Sequence, residues 1–246
     1  MLIGVTRVRD EADVIGYTIE HLRSEGVDHV IAMDNASDDD TPKILEQFGD
    51  FVTVVLDPDH RHLQGERTSQ LAQMAWGMGA TWVLPFDADE MFYARGCTLA
   101  EWFEVCRYDV VGAQVFDHIA TDDDDPTTAN PFLRIRHRRQ YPQRLAKVAF
   151  RAAADVEVAE GNHDVRGVGD RRCGGLFARH VQYRTFEQMA RKVRNGAEAM
   201  DAAGIHPLHG THWRDAARLD DAGLFREWRR LCEEPGLIED PAPWRG

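Results

Sequence analysis

The stretch Trp82-Val83-Leu84-Pro85-Phe86-Asp87-Ala88-Asp89-Glu90 joins an apolar run directly to three carboxylates. The apolar part is typical of a buried strand, which would hold the side chains that follow it at the edge of a sheet. In open α/β sheets, ligands bind outside the carboxyl ends of the strands. The stretch therefore predicts a strand of an α/β sheet with a binding site at its end.

Asp87 and Asp89 stand at alternate positions, so in an extended chain both project to the same side. Two unpaired carboxylates placed in this way would repel each other, and one of them would protonate. A hard divalent cation removes this conflict, and Mg²⁺ or Mn²⁺ bound by one or two carboxylates normally completes its shell with substrate phosphates. The pair predicts a site for such a cation, although an acidic turn after the strand accounts for the same residues.

Strand and helix patterns alternate through the first half of the chain. This alternation predicts a mostly parallel central sheet flanked by helices, with right-handed crossovers. We expect helices opened by Asp10, by Thr41 and near Arg67. The predicted strands of this half are 2–8, 27–33, 51–56 and 81–86.

The second half is less regular. We expect strands at 109–116, 145–150 and 175–183, a long functional or mobile loop over 117–143, and two C-terminal helices, the first opened by Thr185. Four adjacent aspartates in the long loop, Asp122 to Asp125, are a second possible metal site, but such a block is more typical of a solvated turn.

Domain organisation follows from length and from these patterns. We expect one domain over 1–234 and a loosely attached tail over 235–246. Within the domain, residues 1–95 would form a first half, and residues 96–234 a second half with the C-terminal helices.

Composition limits the classes of partner and compartment. A formal net charge of -13 argues against a general surface for nucleic acid or anionic membranes, so an anionic substrate would need local help from a metal or a few arginines. The four cysteines show no paired spacing, which fits reduced thiols in a cytoplasm. No apolar run approaches the ~20 residues of a membrane span, and the first residues lack a basic segment typical of signal peptides. We therefore expect a cytoplasmic protein.

Three segments occur in a characteristic order: Thr6-Arg7-Val8-Arg9-Asp10-Glu11, then Met33-Asp34-Asn35-Ala36-Ser37-Asp38-Asp39-Asp40-Thr41, then the acidic cluster at Asp87. Together they resemble the family 2 glycosyltransferases, inverting enzymes with the GT-A nucleotide-diphospho-sugar transferase fold. The resemblance covers residues 1–95 and is closest to a bacterial branch whose first motif reads R-D/N-E. It implies that residues 1–95 are the nucleotide-binding half and residues 96–234 the acceptor half.

The resemblance implies a nucleotide site and a metal site that share residues. Asp34 would accept a hydrogen bond from the base edge, and an Mn²⁺ or Mg²⁺ ion on Asp89 would bridge the two phosphates and stabilise the departing nucleoside diphosphate. The implied nucleotide-binding residues are Thr6, Arg9, Glu11, Asp34, Arg67 and Asp87, and the implied metal-binding residues are Asp87, Asp89 and His180.

Each of these roles has a structural alternative. Asp34 could form the turn of an Asx loop, Arg67 could make a surface salt bridge, and His180 could be a hydrogen-bonded core histidine. Of the tryptophans, Trp213, Trp228 and Trp244 could stack on an acceptor sugar, but the helical spacing of Trp228 is typical of a core residue.

Inverting transfer needs a base that takes a proton from the acceptor hydroxyl. Many relatives use the aspartate of a Glu-Asp pair in the second half, and the pair Glu239-Asp240 stands too late in this chain. The polar segment 159–164 is the best substitute. The candidate bases there are Asp164, Glu160 and His163, and a loop histidine with a structural role is the alternative for His163.

The resulting functional hypothesis is a metal-dependent inverting glycosyltransferase that moves a sugar from a nucleotide-sugar donor, with UDP as the expected nucleotide, to an acceptor hydroxyl. The acceptor would be a saccharide or a glycolipid, and peripheral contact with a membrane stays open. The alternatives are a non-catalytic nucleotide-sugar-binding module and a sugar nucleotidyltransferase. The latter needs a glycine-rich phosphate loop, whereas residues 4–11 contain a single glycine.

Overall fold

The computed structural model describes residues 1–206 and 211–241 of the chain, and a twisted central sheet dominates it. The strands are β1 (Leu2–Val8), β2 (His29–Asp34), β3 (Val52–Leu56), β4 (Trp82–Pro85), β5 (Glu90–Ala94), β6 (Val110–Ile119), β7 (His137–Arg138), β8 (Lys147–Arg151), β9 (Glu157–Val158), β10 (Val165–Arg166), β11 (Arg172–His180) and β12 (Ile238–Glu239).

Helices cover both faces of the sheet and form most of the C-terminal region. They are α1 (Ile15–Ser24), α2 (Thr41–Glu46), α3 (Gln64–Gly77), α4 (Leu99–Val105), α5 (Pro131–Arg134), α6 (Phe186–Ala202), α7 (Thr211–Ala217) and α8 (Asp221–Cys232). No helix among the described residues is long and apolar enough to cross a membrane.

The sheet has a parallel part and a mixed part. Strands β4, β1, β2 and β3 lie side by side in that order and are all parallel, with Val8 opposite Asp34 and Val5 opposite Pro85. Strand β8 lies antiparallel between β4 and β6, while β11 runs parallel to β6 and antiparallel to β5. The predicted α/β fold is confirmed, and the part of the sheet in which all neighbours are parallel consists of the first four strands.

Neighbouring residues of the central strands pack on opposite faces of the sheet. Val30 lies in the hydrophobic cluster that contains Ile15 of α1, whereas Ile31 lies in the cluster that contains Leu71 of α3. Both faces are therefore covered by helices, which accounts for the largely apolar composition of the central strands.

Two helix starts differ from the prediction. Helix α1 begins at Ile15, and Asp10 does not cap it, because the Asp10 carboxylate accepts a hydrogen bond from the backbone N–H of Asp38 instead. Helix α3 begins at Gln64 rather than near Arg67. The buried face of α3 is formed by Thr68, Leu71, Ala72 and Ala75, whereas Met74 and Met78 are exposed.

Several elements of the structure were not predicted from the sequence. Strand β5 and the capped helix α4 follow the acidic cluster directly, and residues 117–143 contain the end of β6 together with α5 and β7. The described part of the predicted tail is attached, since β12 pairs with β7 and the Asp240 carboxylate accepts a hydrogen bond from Arg138. The prediction of a loose tail is therefore wrong up to residue 241, and the division of 1–234 into two halves stays a prediction.

Candidate active site

A cleft of about 510 Å³ opens at the carboxyl ends of β1 and β4, a size typical of small-ligand sites. Its walls include the loop after β1, the acidic turn after β4, the segment 160–163, and one face of α6. The first two end neighbouring parallel strands, so the topology of the sheet brings them together.

The acidic turn is held by its own backbone. The Glu90 N–H donates to the Asp87 carbonyl at 3.0 Å, and the Glu90 carboxylate in return accepts from the Asp87 N–H at 3.2 Å. Strand β5 starts at Glu90 and pairs with β11 so that His180 lies opposite Glu90. The pairing of β5 with β11 therefore carries His180, from far along the chain, to the acidic turn.

His180 lies between two carboxylates. Its Nδ1–H donates to Asp117 Oδ1 at 2.7 Å, and its Nε2 lies 3.8 Å from Asp89 Oδ2. Burial lowers the pKa of His180, but Asp89 and Asp117 outweigh burial and raise it to about 9. The imidazole is therefore held as a cation when no metal ion is bound at Asp89.

Lys192 of α6 also reaches the acidic turn. Its ammonium donates to Asp89 Oδ2 and, at 2.9 Å, to Glu11 Oε1. These two carboxylates raise the pKa of Lys192 although burial acts in the opposite direction. The side chain of Lys192 is 22% exposed and lines the cleft.

Lys147 of β8 makes a similar bridge on the other side of the turn. Its ammonium lies 2.6 Å from Asp87 Oδ2 and 3.0 Å from Glu90 Oε1. Asp87 Oδ1 also accepts from Gln64 at 3.0 Å. The Asp87 carboxylate is thus satisfied by protein groups in this arrangement.

Asp89 and His180 suit a divalent cation. Asp117 orients the ring of His180 and leaves Nε2 facing Asp89 at a distance too long for a hydrogen bond, as carboxylates do behind metal-binding histidines. Within the described residues no group of three or more His, Cys, Asp or Glu side chains is arranged to hold a metal ion, so water or phosphate oxygens would complete the shell. Metal binding stays a prediction, with Asp89 and His180 as the fitting ligands and Asp87 bound to Lys147.

The implied nucleotide-binding residues divide into two groups. Arg9, Glu11 and Asp87 line the cleft. Thr6 lies in the middle of β1 and Asp34 at the end of β2, and both are buried outside the cleft lining. The neighbouring residues Arg7 and Asn35 line the cleft in their place, since one step along a strand turns the side chain to the other side.

Arg67 also lies outside the cleft. Its Nε donates to Asp57 Oδ2 at 3.1 Å, and its Nη1 pairs with Glu66 at 2.8 Å. Arg67 is therefore engaged in a salt bridge at the start of α3, which is the alternative that the sequence left open.

The three candidate bases are separated by the fold. Asp164 lies outside the cleft, half-exposed and paired with Arg172 at 2.8 Å. Glu160 and His163 both line the cleft, and the Glu160 carboxylate accepts from the Gly65 N–H at 3.0 Å.

The ring of His163 has a defined tautomer. Its Nδ1 lies 3.0 Å from the carbonyl oxygen of Ala146, so Nδ1 carries the proton and donates, and Nε2 is left as an acceptor. Burial lowers the pKa of His163, which keeps the ring neutral. Gly161 has a φ of 72°, and a Cβ there would lie 2.6 Å from the ring, so only glycine lets the histidine pack in this position.

The three tryptophans and the block of four aspartates were the remaining candidates for the site. Trp213 lines the cleft, Trp228 packs in the hydrophobic cluster of α6 and α8, and Trp244 lies outside the described residues. Asp122 to Asp125 form a turn held by hydrogen bonds with Thr121, Thr127 and Arg229, as the solvated-turn interpretation predicts.

The sequence analysis did not identify the two lysines of the site. The chain contains three lysines, Lys43, Lys147 and Lys192, and two of them lie at the acidic turn. The scarcity of lysine beside many arginines is a signal that could have pointed to them. Gln64, Arg191 and Asn195 also line the cleft without having been predicted.

Comparisons with known proteins bear on this site. Residues 5–159, more than half of the chain, match the family described as Glycosyl transferase family 2. No curated protein matches the chain. Similar solved structures include S. aureus TarS 1–349 in complex with UDP-GlcNAc (10% identity, 95% of this chain and 82% of that chain, TM-score 0.48) and mannosyl-3-phosphoglycerate synthase from Rubrobacter xylanophilus (18% identity, 52% and 44%, TM-score 0.36). The match over residues 5–159 shows that this chain belongs to glycosyltransferase family 2.

Proposed function

We propose that this protein transfers a sugar from a nucleotide-sugar donor to an acceptor hydroxyl with inversion at the anomeric carbon. The observation that carries the proposal is the single cleft in which Glu11 of the first motif, the acidic turn and the basic face of α6 meet, within a family 2 chain. Acidic and basic groups set close together are what a site for a metal and a diphosphate requires.

The donor end of the cleft is the acidic turn. Asp89 and His180 would hold an Mn²⁺ or Mg²⁺ ion, which when bound stabilises negative charge on the departing nucleoside diphosphate. Arg9 and Arg191 lie in the same cleft and present guanidinium groups that suit phosphate oxygens. UDP is the nucleotide that we propose, on the strength of the family resemblance of residues 1–95.

The acceptor end of the cleft is the segment 160–163. His163 is the best candidate for the base, because the Ala146 carbonyl fixes its tautomer and leaves a neutral Nε2 able to accept a proton. Glu160 shares the cleft, but its oxygens already bind the Gly65 N–H and lie 3.3 Å from His62. The acceptor is proposed to be a saccharide or glycolipid hydroxyl, and the cytoplasm the place of reaction.

A non-catalytic nucleotide-sugar-binding module is the second candidate function. The observation that favours it is that Asp87 and Asp89 are each paired with a lysine, so that neither carboxylate is free. Such a module would bind the donor but would not release the nucleoside diphosphate from it.

A thermal-shift panel tests the donor site. UDP, GDP, TDP and CDP are added with and without Mn²⁺ to the wild type and to Asp89→Ala. Ligand at about 100 times its dissociation constant should add about 2.7 kcal/mol, which is about 5–10 °C for a chain of this size. We expect a rise with one nucleotide plus Mn²⁺ in the wild type alone. Flat curves for the whole panel would contradict the proposal, and Mn²⁺-dependent UDP binding retained in Asp89→Ala would remove Asp89 from the metal site.

A further inference from the structure

Lys192 occupies the side of Asp89 that faces the open cleft. It projects from α6 together with Gln188 and Asn195, which stand one helical turn before it and one turn after it and also line the cleft. Its ammonium joins Asp89 Oδ2 to Glu11 Oε1. The residue thus links the acidic turn to the first motif at the point where a ligand would enter.

One oxygen of Asp89 faces three positive groups. Asp89 Oδ2 contacts Lys192, lies 3.7 Å from Arg184 Nη1 and 3.8 Å from His180 Nε2. Two cations at contact distance repel strongly, so a divalent cation bound at Asp89 Oδ2 would be opposed by the lysine ammonium on that oxygen. Metal and Lys192 therefore compete for Asp89.

Arg184 allows Lys192 to move away while Glu11 and Asp89 keep a positively charged neighbour. The Arg184 side chain is fully buried, contacts Glu11 Oε2, and lies 3.7 Å from Asp89 Oδ2. Both carboxylates that Lys192 bridges therefore keep a buried cation when the lysine moves. A lysine with a flexible four-carbon stem and a partly exposed side chain can make that movement, whereas the fully buried guanidinium cannot.

Lys147 lacks this freedom. It is buried, and among the described residues it is the one cation within ion-pair distance of Asp87 and Glu90. Its departure would leave Glu90 buried without a charge partner, which is costly. Lys147 is therefore fixed in place, whereas Lys192 can respond to a ligand.

We propose that Lys192 binds the donor diphosphate, and that in the unliganded protein Asp89 and Glu11 hold it as a counter-ion which the metal displaces. The inference rests on the proposed function and adds a residue and a coupling to it. Because the metal releases Lys192 toward the phosphates, metal and nucleotide should each strengthen the binding of the other.

Calorimetric titrations of the full chain test this role. Mn²⁺ alone, and UDP at saturating Mn²⁺, are titrated into the wild type, Lys192→Gln, Lys192→Arg and the surface control Lys43→Gln. Lys43 pairs with Asp40 on α2 and is largely exposed, so its substitution removes the same charge outside the cleft.

We expect opposite effects on the two ligands. Lys192→Gln should bind Mn²⁺ alone about tenfold more tightly, because a competing charge is gone, and UDP about tenfold or more weakly, because a phosphate partner is gone. Lys192→Arg should keep UDP affinity within about threefold, since it retains the charge. Lys43→Gln should match the wild type in both titrations.

Three results would overturn the role of Lys192 while leaving the proposed function in place: unchanged UDP affinity in Lys192→Gln, weaker binding of both ligands, or unfolding of that variant. The last would show that Arg184 does not suffice to hold Glu11 and Asp89. A wild type that binds neither UDP nor any other nucleoside diphosphate would instead contradict the proposed function itself, and this inference with it.

Discussion

At the scale of single residues, the pair formed by His180 and Asp117 controls the charge of the site. Asp117 is held ionised, since burial raises the pKa of its carboxyl but the bond to His180 and nearby groups lower it to about 2. His180 is held protonated by the same bond and by Asp89. The two groups stabilise each other's charged form over the whole range between those pKa values.

Stability should therefore depend on pH through His180. Its pKa rises from 6.5 in the unfolded chain to about 9 in the fold, so the stabilisation is complete below pH 6.5 and is lost as the pH rises through 9. The free energies of unfolding of the wild type and of His180→Gln are measured with urea, without metal, from pH 6 to 9.5. The stability advantage of the wild type over the variant should fall by up to about 3 kcal/mol over this range.

Asp117→Asn serves as the control for this measurement. It removes one of the two carboxylates that hold the imidazolium, so the pH dependence that His180 confers should become weaker in its background. A difference between wild type and His180→Gln that stays constant from pH 6 to 9.5 would show that His180 is not held as a cation.

At the scale of elements, the contact between α3 and the segment 158–160 forms one wall of the cleft. A Cβ on Gly65 would lie 2.8 Å from the carbonyl oxygen of Val158 and 3.2 Å from the Glu160 nitrogen, and both atoms belong to backbone. Gly65→Ala should therefore push α3 and this segment apart and lower the free energy of unfolding by about 1–3 kcal/mol.

Gly77 at the other end of α3 provides a matched control. A Cβ there meets no atom within 4 Å, so Gly77→Ala should leave stability unchanged or raise it by up to about 1 kcal/mol through helix propensity. The midpoint of urea unfolding, compared at an unchanged m-value, measures the change in stability of each variant. Equal effects of the two substitutions would contradict the close contact at Gly65.

The helices and strands could be predicted where a local sequence pattern specifies them. Strand β4 and its acidic turn were predictable, because an apolar run that ends in carboxylates is typical of a buried strand followed by a polar turn. Lys192 was not, because its role depends on how α6 packs across the cleft, and a capping box and helical periodicity reveal a helix but not its target. Thr6 and Asp34 were placed in the cleft by resemblance, whereas the pleat of β1 and β2 turns Arg7 and Asn35 toward it.

At the scale of the whole molecule, Arg184 connects the C-terminal part to the first motif. Its fully buried guanidinium contacts Glu11 and lies 2.7 Å from Asp13, two residues more than 170 positions away in the chain. Arg184→Met would leave these carboxylates and Asp89 with fewer charge partners in a buried place. Stability should fall by about 3–5 kcal/mol.

Arg194 on the same helical region gives the comparison for an exposed pair. It is half-exposed and pairs with Asp221, so Arg194→Met should cost about 1 kcal/mol or less. Unfolding both variants in guanidinium chloride measures the two losses of stability. A small effect of Arg184→Met, similar to that of Arg194→Met, would show that Arg184 does not link the two parts of the fold.

The overall architecture was predictable in its parallel half and less so elsewhere. Alternating strands and helices dictate β1 to β4, because right-handed crossovers leave few other arrangements. Strands β6, β8 and β11 join the sheet through pairings between residues far apart in sequence, and such register carries no local signal. The attachment of β12 depends on one short pairing and on the ion pairs of Asp240, which no composition of a proline-rich tail predicts.

Release of nucleoside diphosphate from a nucleotide sugar is the most direct test of the proposed activity. The wild type and Asp89→Asn are incubated with UDP-linked sugars and Mn²⁺, first without acceptor and then with saccharide acceptors, and free UDP is quantified. Slow UDP release from one donor by the wild type, faster release with a suitable acceptor, and loss of both in Asp89→Asn are the results that the proposal predicts. Firm Mn²⁺-dependent UDP binding without release from any donor would contradict it and identify a binding module instead.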